Sequence, residues 1–196
     1  MKNKQEVASI FKALGGIAKA KDLLAEGIAY YQLNQLMKEG QVIKIKRGLY
    51  QWDDLSVSEM AEAARMVPKG VYCLLSAAVH YELTTFVSSE YHLAVPKKYK
   101  VTLPKYPPIK LYYWMDNRYD LGVQEVNVEG QTVNMYDIEK TVCDIIRYQK
   151  KVGLDTMKEV LHTYLAKKNR NLDQLGKYAD ILGMKEEVFN LINLLV

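Results

Sequence analysis

Between Gly15 and Trp52 the spacing of the apolar residues changes from three or four to two, which narrows what this part of the chain can fold into. Ala20, Leu23 and Leu24 recur at helical spacing and stop at Gly27. Leu33, Leu36 and Met37 form a narrow apolar stripe on a second expected helix over 28–39, which Gly40 terminates. From Val42 the period is two, which predicts Ile43 and Ile45 on one face and Lys44 and Lys46 on the other. Arg47-Gly48 makes a turn, and Leu49-Tyr50-Gln51-Trp52 returns as the second strand of a hairpin. Upstream, Val7, Ile10, Phe11 and Leu14 predict another helix, ended by Gly15-Gly16. Two helices joined by a tight turn and followed by a basic hairpin are the parts of a winged helix-turn-helix, which lays its second helix in the major groove of DNA.

The residue types on the outward positions suit that use. Gln32, Asn34 and Gln35 carry amides that pair with base edges, adenine especially. Tyr30 and Tyr31 can reach phosphates or thymine methyls, and Lys38 lies on the same expected face. Lys44, Lys46 and Arg47 would follow the flanking backbone or minor groove, with Lys19 and Lys21 approaching phosphates from the other side. Charge agrees with this placement. Residues 1–52 hold nine basic and four acidic groups, a net of +5, whereas the remainder holds 18 and 19, a net of −1, so the positive excess sits on the expected DNA reader.

Beyond Asp53-Asp54 the pattern changes, and the chain reads as residues 1–54, a DNA-binding head, followed by residues 55–196, an α+β body with a mixed or antiparallel sheet and C-terminal helices. Ser56 is expected to cap a helix ending before Pro68. Strands are expected at 71–75, 91–95, 109–114, 122–128 and 132–135, with a hairpin turn at Glu129-Gly130. A short helix is expected over 76–83, a strongly amphipathic one capped by Asp137 over 138–149, and three more near 154–168, 172–182 and 185–195. At 49% hydrophobic and 26% charged residues the chain has the makings of an ordinary soluble core. No apolar run is long enough to span a bilayer and no signal peptide is visible, so a cytoplasmic protein without membrane association is expected. Cys73 and Cys143 read as buried reduced thiols.

Catalytic sets are scarce. His80, His92 and His162 match no metal spacing, and His80-Tyr81-Glu82 lacks the downstream P-C-x-x-C that a zinc deaminase requires. No phosphate-binding glycine loop and no nucleophile elbow is present. Asp137, Glu139, Lys140 and Asp144 offer the carboxylates and lysine of a nuclease, but Asp137 reads better as a helix cap, with the other charges on an exposed face. No enzyme activity, metal or cofactor is therefore expected. The run Lys97-Lys98-Tyr99-Lys100 reads as a solvated connector, and Tyr112-Tyr113-Trp114 as a strand half in the core and half at the surface.

With these residues in view, the chain resembles the AbiE-type antitoxins, the repressor halves of bacterial type IV toxin–antitoxin pairs linked to phage defence. The matching stretches are Gly15-Gly16-Ile17-Ala18, Leu23-Leu24-Ala25-Glu26-Gly27-Ile28, Gly40-Gln41-Val42-Ile43 and Arg47-Gly48-Leu49-Tyr50. More loosely, Leu75-Ser76-Ala77-Ala78, His80-Tyr81-Glu82-Leu83 and Glu139-Lys140-Thr141-Val142-Cys143-Asp144 also fit. The resemblance implies a head that binds repeats in its own promoter through residues 29–38 and the wing. It also implies a body that completes repression and counteracts a nucleotidyltransferase-like toxin. One departure stands out: the family opens this helix with a Ser or Thr cap and early arginines, where Ala29, Tyr30 and Tyr31 stand here. The alternative is a winged-helix transcription factor with no toxin partner, whose body senses a ligand in a pocket lined by 112–114 and by Tyr81, Phe86 and Tyr91.

Overall fold

Asn3 opens the first helix, α1 (Lys4–Ala13): its side chain accepts from the Glu6 N–H while the Glu6 carboxylate accepts from the Asn3 N–H, a reciprocal capping box. The computed structural model describes residues 2–53, 58–128 and 131–195. It separates into two units, Met1–Met66 and Val67–Val196. In the first, α1 is followed by β1 (Ile17–Lys19), α2 (Ala20–Ala25), α3 (Tyr30–Lys38), β2 (Val42–Lys46), β3 (Leu49–Trp52) and α4 (Glu59–Met66). The strands form an antiparallel sheet in the order β1-β3-β2.

Glycine sets the angle between α2 and α3. Gly27 takes φ +78°, its N–H bonds Leu24 O, and the N–H of the following Ile28 reaches back to Leu23 O. Gly40 closes α3 in the same way at φ +71°, with Gln41 N–H on Leu36 O. Each reversal seats an apolar side chain: Ile28 is buried with Leu23, Leu33, Leu36, Phe11, Val42, Tyr50 and Trp52 in the core of this unit. Burial of each large aliphatic side chain here contributes about 1.5–3 kcal/mol. The strand β1 is absent from the sequence reading because three residues are too few to show a period.

The first unit includes α4, whereas the sequence reading placed the boundary at residue 54. Ser58 caps this helix, its Oγ accepting from Ala61 N–H. The expected cap, Ser56, lies outside the described residues, as does the hairpin turn Glu129-Gly130.

The second unit runs β4 (Val71–Tyr72), α5 (Leu74–His80), β5 (Tyr91–Pro96), β6 (Ile109–Trp114), α6 (Asp116–Tyr119), β7 (Val123–Val128), β8 (Gln131–Tyr136), α7 (Ile138–Arg147), α8 (Gln149–Val152), α9 (Leu154–Ala166), α10 (Leu172–Ile181) and α11 (Lys185–Leu195). Its sheet has the order β6-β5-β4-β8-β7; β5 pairs with β6 in parallel and β4 with β8 in parallel, while β4–β5 and β7–β8 are antiparallel. The α+β class expected from the sequence is the one observed. The expected strand over 71–75 shrinks to two residues because α5 begins early, at Leu74. Asp137 caps α7 as expected, accepting from Lys140 N–H at 2.8 Å. Cys73 and Cys143 are buried and unbonded to each other. Among the described residues no helix is long and apolar enough to cross a membrane.

Candidate nucleic-acid interface

Leu33 and Leu36 face inward from α3, and the rotation of the helix then decides which polar side chains face out. Tyr30 and Tyr31 are exposed by 54% and 59%, and Asn34, Gln35 and Lys38 are exposed with them. Gln35 Nε2 donates to Glu39 Oε1 at 3.0 Å, a surface bond that positions the amide without burying it. Gln32 does not belong to this face. It is 5% exposed, and its Nε2 donates to Lys2 O at 2.6 Å, tying the N-terminal segment to α3. The expectation that Gln32 reads a base edge is corrected: one position before Leu33, it falls on the inward side, and its amide is already engaged. Ala29 at the N-cap makes no side-chain hydrogen bond, so first-turn N–H groups of α3 have no cap.

The hairpin also departs from the expected alternation. Lys44 pairs with Tyr50 but Lys46 pairs with Leu49, because a bulge falls between them. Adjacent residues of β3 face opposite sides, so Lys44 and Lys46 face opposite sides too. Lys44 lies on the side of Val42, Tyr50 and Trp52 and is exposed beyond their core. Lys46 lies beside Leu49, which Lys19 flanks from β1, and its Nζ donates to Met66 O at 2.7 Å at the C-terminal end of α4. Burial, and then the neighbouring charge of Lys19, lower the Lys46 pKa. The expected wing, with both lysines outward and both isoleucines beneath, is therefore corrected: Ile43 is 47% exposed and Lys46 is committed to a protein carbonyl. Lys19 is half-buried at the start of α2, while Lys21 and Arg47 are exposed. The accessible cations of the hairpin and of α2 and α3 are thus Lys21, Lys38, Lys44 and Arg47, with Lys19 partly so.

The charged set on α7 in the second unit is built differently from the expectation. Glu139, Lys140 and Asp144 are buried, not exposed. Asp144 accepts from Lys140 Nζ at 2.5 Å through Oδ2 and from Arg118 at 2.9 Å through Oδ1, so both of its oxygens are engaged. Glu139 Oε1 accepts from Tyr164 OH and Asn171 N–H, each at 3.1 Å. Lys140 Nζ also sits 4.4 Å from the Trp114 ring centre and 4.3 Å from that of Tyr136. These carboxylates hold helices and side chains together rather than facing an open site. Tyr112 and Trp114 are buried and Tyr113 is exposed, as the alternation of β6 led one to expect. Tyr99, in the run read as a solvated connector, lies beneath Lys69 Nζ at 5.9 Å. Nothing in the sequence marks Arg118, because α6 is a single turn with no apolar period.

Comparison with curated proteins finds no match. Among solved structures, the RV2827C protein from Mycobacterium tuberculosis superposes with a TM-score of 0.49 at 11% identity, covering 95% of this chain and 79% of that one. A family model described as a transcriptional regulator, AbiEi antitoxin, matches residues 5–51, the span of α1 through β3 to Gln51. The segment that carries the exposed face of α3 and the basic hairpin is therefore similar to the transcriptional regulators described as AbiEi antitoxins.

Proposed function

We propose that this protein is an autoregulating repressor of the type IV antitoxin kind. In this reading α3 enters the major groove of repeats in its own promoter, and the second unit counteracts a nucleotidyltransferase-like toxin. The observation that carries it is the coincidence of the family match with the face of α3. That face presents two tyrosines, Asn34, Gln35 and Lys38 to solvent, within residues 1–52, the segment whose net charge is +5. Asn34 and Gln35 supply amides for base edges, Tyr30 and Tyr31 supply flat groups for methyls and hydroxyls for phosphates, and Lys44 and Arg47 supply backbone contacts. The uncapped first turn of α3 also suits an approaching phosphate.

Fluorescence anisotropy with a labelled fragment of the protein's own promoter tests the repressor half. Tight binding to that fragment over a scrambled duplex, weakening steeply as salt rises, is expected. Equal affinity for both duplexes, or none at low salt, counts against it. Co-expression with the toxin encoded beside it tests the antitoxin half: growth should resume, and continued arrest would refute the pairing.

A further inference from the structure

In the second unit, at the aromatic end of β6, lies a cleft of about 280 Å³ whose walls include Trp114, Asn117, Arg118, Arg147, Tyr148 and Ile181. Two guanidinium groups line it and no carboxylate does. Behind it, Asp144 is the shared partner of two cations. Lys140 and Asp144 have wholly buried side chains, and that of Arg118 is 17% exposed, so the trio carries a formal charge of +1 in a poorly solvated place. Asp137, the other acid near Lys140, already accepts from Tyr178 OH and Lys140 N–H, and burial raises its pKa.

Arg118 is held ready rather than used up. Its guanidinium lies 4.4 Å from the Trp114 ring centre and 5.1 Å from that of Tyr148, and those rings are linked by a 3.0 Å bond from Trp114 Nε1 to Tyr148 OH. One guanidinium nitrogen donates to Asp144, but Nε is buried and has no acceptor among the described residues. Arg147, from the last turn of α7, is exposed at the rim and donates to Leu182 O. A planar guanidinium whose remaining exposure faces the cleft, a second one at the rim and exposed apolar side chains beside them are parts that recognise an oxyanion on a compact organic body.

We propose that this cleft is a binding site for a small organic oxyanion, its phosphate or carboxylate held by Arg118 and Arg147 and its body resting against the exposed Tyr113 and Ile181. The site is distinct from the face of α3 and does not depend on what the first unit binds. It also differs from the pocket expected from the sequence, since Tyr81, Phe86 and Tyr91 do not line it.

The test titrates the full chain with inorganic phosphate, adenosine monophosphate and benzoate at fixed ionic strength, read by calorimetry and tryptophan fluorescence. Saturable binding by at least one is expected, and comparing the phosphates with benzoate identifies the anionic group. Arg147→Gln should weaken binding about tenfold through loss of a charge-assisted hydrogen bond to the anion. Ile181→Glu, at an exposed position, should abolish it by placing a negative charge at the wall. Thermal unfolding of both variants should stay near that of the parent, since neither side chain is buried. Absence of saturable binding by all three probes, or binding unchanged in both variants, overturns the proposal. So does duplex DNA binding that falls in the same variants while no small anion binds, because the cleft would then serve nucleic acid.

Discussion

Lys44 and Lys46, two residues apart on one strand, face opposite sides of their sheet. The bulge between them pairs Lys44 with Tyr50 and Lys46 with Leu49, and among the described residues Lys46 alone of the two is tied to a backbone carbonyl. The two lysines therefore answer differently to substitution. Lys44→Ala should weaken binding to all duplexes alike and flatten the logarithmic salt dependence by about 0.9, the increment for one phosphate no longer neutralised. Lys46→Ala should leave that slope unchanged and lower the stability of the first unit by about 1 kcal/mol, having removed a partly buried bond to Met66 O. Anisotropy at several salt concentrations, with urea denaturation alongside, separates the two.

The glutamines of α3 divide in the same manner. Gln35→Ala, at an exposed position, should relax discrimination at one base pair by about 1–3 kcal/mol while leaving unfolding unchanged. Gln32→Ala should do the reverse, losing the bond to Lys2 O and about 1 kcal/mol of stability while preserving sequence preference. Binding to a panel of singly substituted operators checks both; a change of base preference in the Gln32 variant would contradict the buried placement.

In the second unit, Asp144→Ala should destabilise by about 3–5 kcal/mol, because it leaves Lys140 and Arg118 together without their carboxylate. Lys140→Met should cost less, since Asp144 keeps Arg118 and the new side chain is apolar and of similar length. Chemical denaturation followed by far-ultraviolet circular dichroism gives both values. For the same reason, loss of any activity in Asp144→Ala would report unfolding rather than chemistry.

His92 makes the second unit sensitive to acid. Its ring is 3% exposed, lies 3.1 Å from both Ser88 Oγ and Tyr112 OH, and has its pKa lowered to about 4, by burial first and then by Lys110, against the opposing pull of Glu90. Between pH 4 and the unfolded value of about 6.5 the unfolded chain binds the extra proton. Stability from this group is therefore complete above about pH 6.5, falls as the pH drops toward 4, and amounts to a few kcal/mol at most. Urea midpoints at pH 4.5 and 7.5 should differ in the parent chain and converge in His92→Gln.

Elements with a repeated apolar period were legible in the sequence. The stripe of α7, the strands β6, β7 and β8 and the glycine stops of α2 and α3 lie within a few residues of their expected places. Elements too short to show a period were not: β1, α6 and the shortened β4 owe their form to neighbouring strands or helices. At the candidate interface, Tyr30, Tyr31, Asn34, Gln35, Lys38, Lys21, Lys44 and Arg47 are exposed as expected. Gln32 and Lys46 are not free, and no local pattern marks a bulge or a side chain bonded to the carbonyl of Lys2, thirty positions away. Charge was the least legible property. Glu139, Lys140 and Asp144 read as surface residues because charged side chains are seldom buried, and it is pairing with partners distant in sequence, Arg118, Tyr164 and Asn171, inside an aromatic enclosure that makes their burial possible.

The two residues of β4 carry more of the second unit than their number suggests. On one side Val71 and Tyr72 join β5 and through it β6; on the other, Tyr72 joins β8 and through it β7. The β7–β8 pair is local in sequence, but the two halves of the sheet have no other strand between them among the described residues. Cohesion of the whole sheet thus passes through a seam one dipeptide wide. Whatever loosens that seam frees two smaller sheets at once, so exchange of the amide protons at this dipeptide reports the opening of the entire unit rather than of one strand.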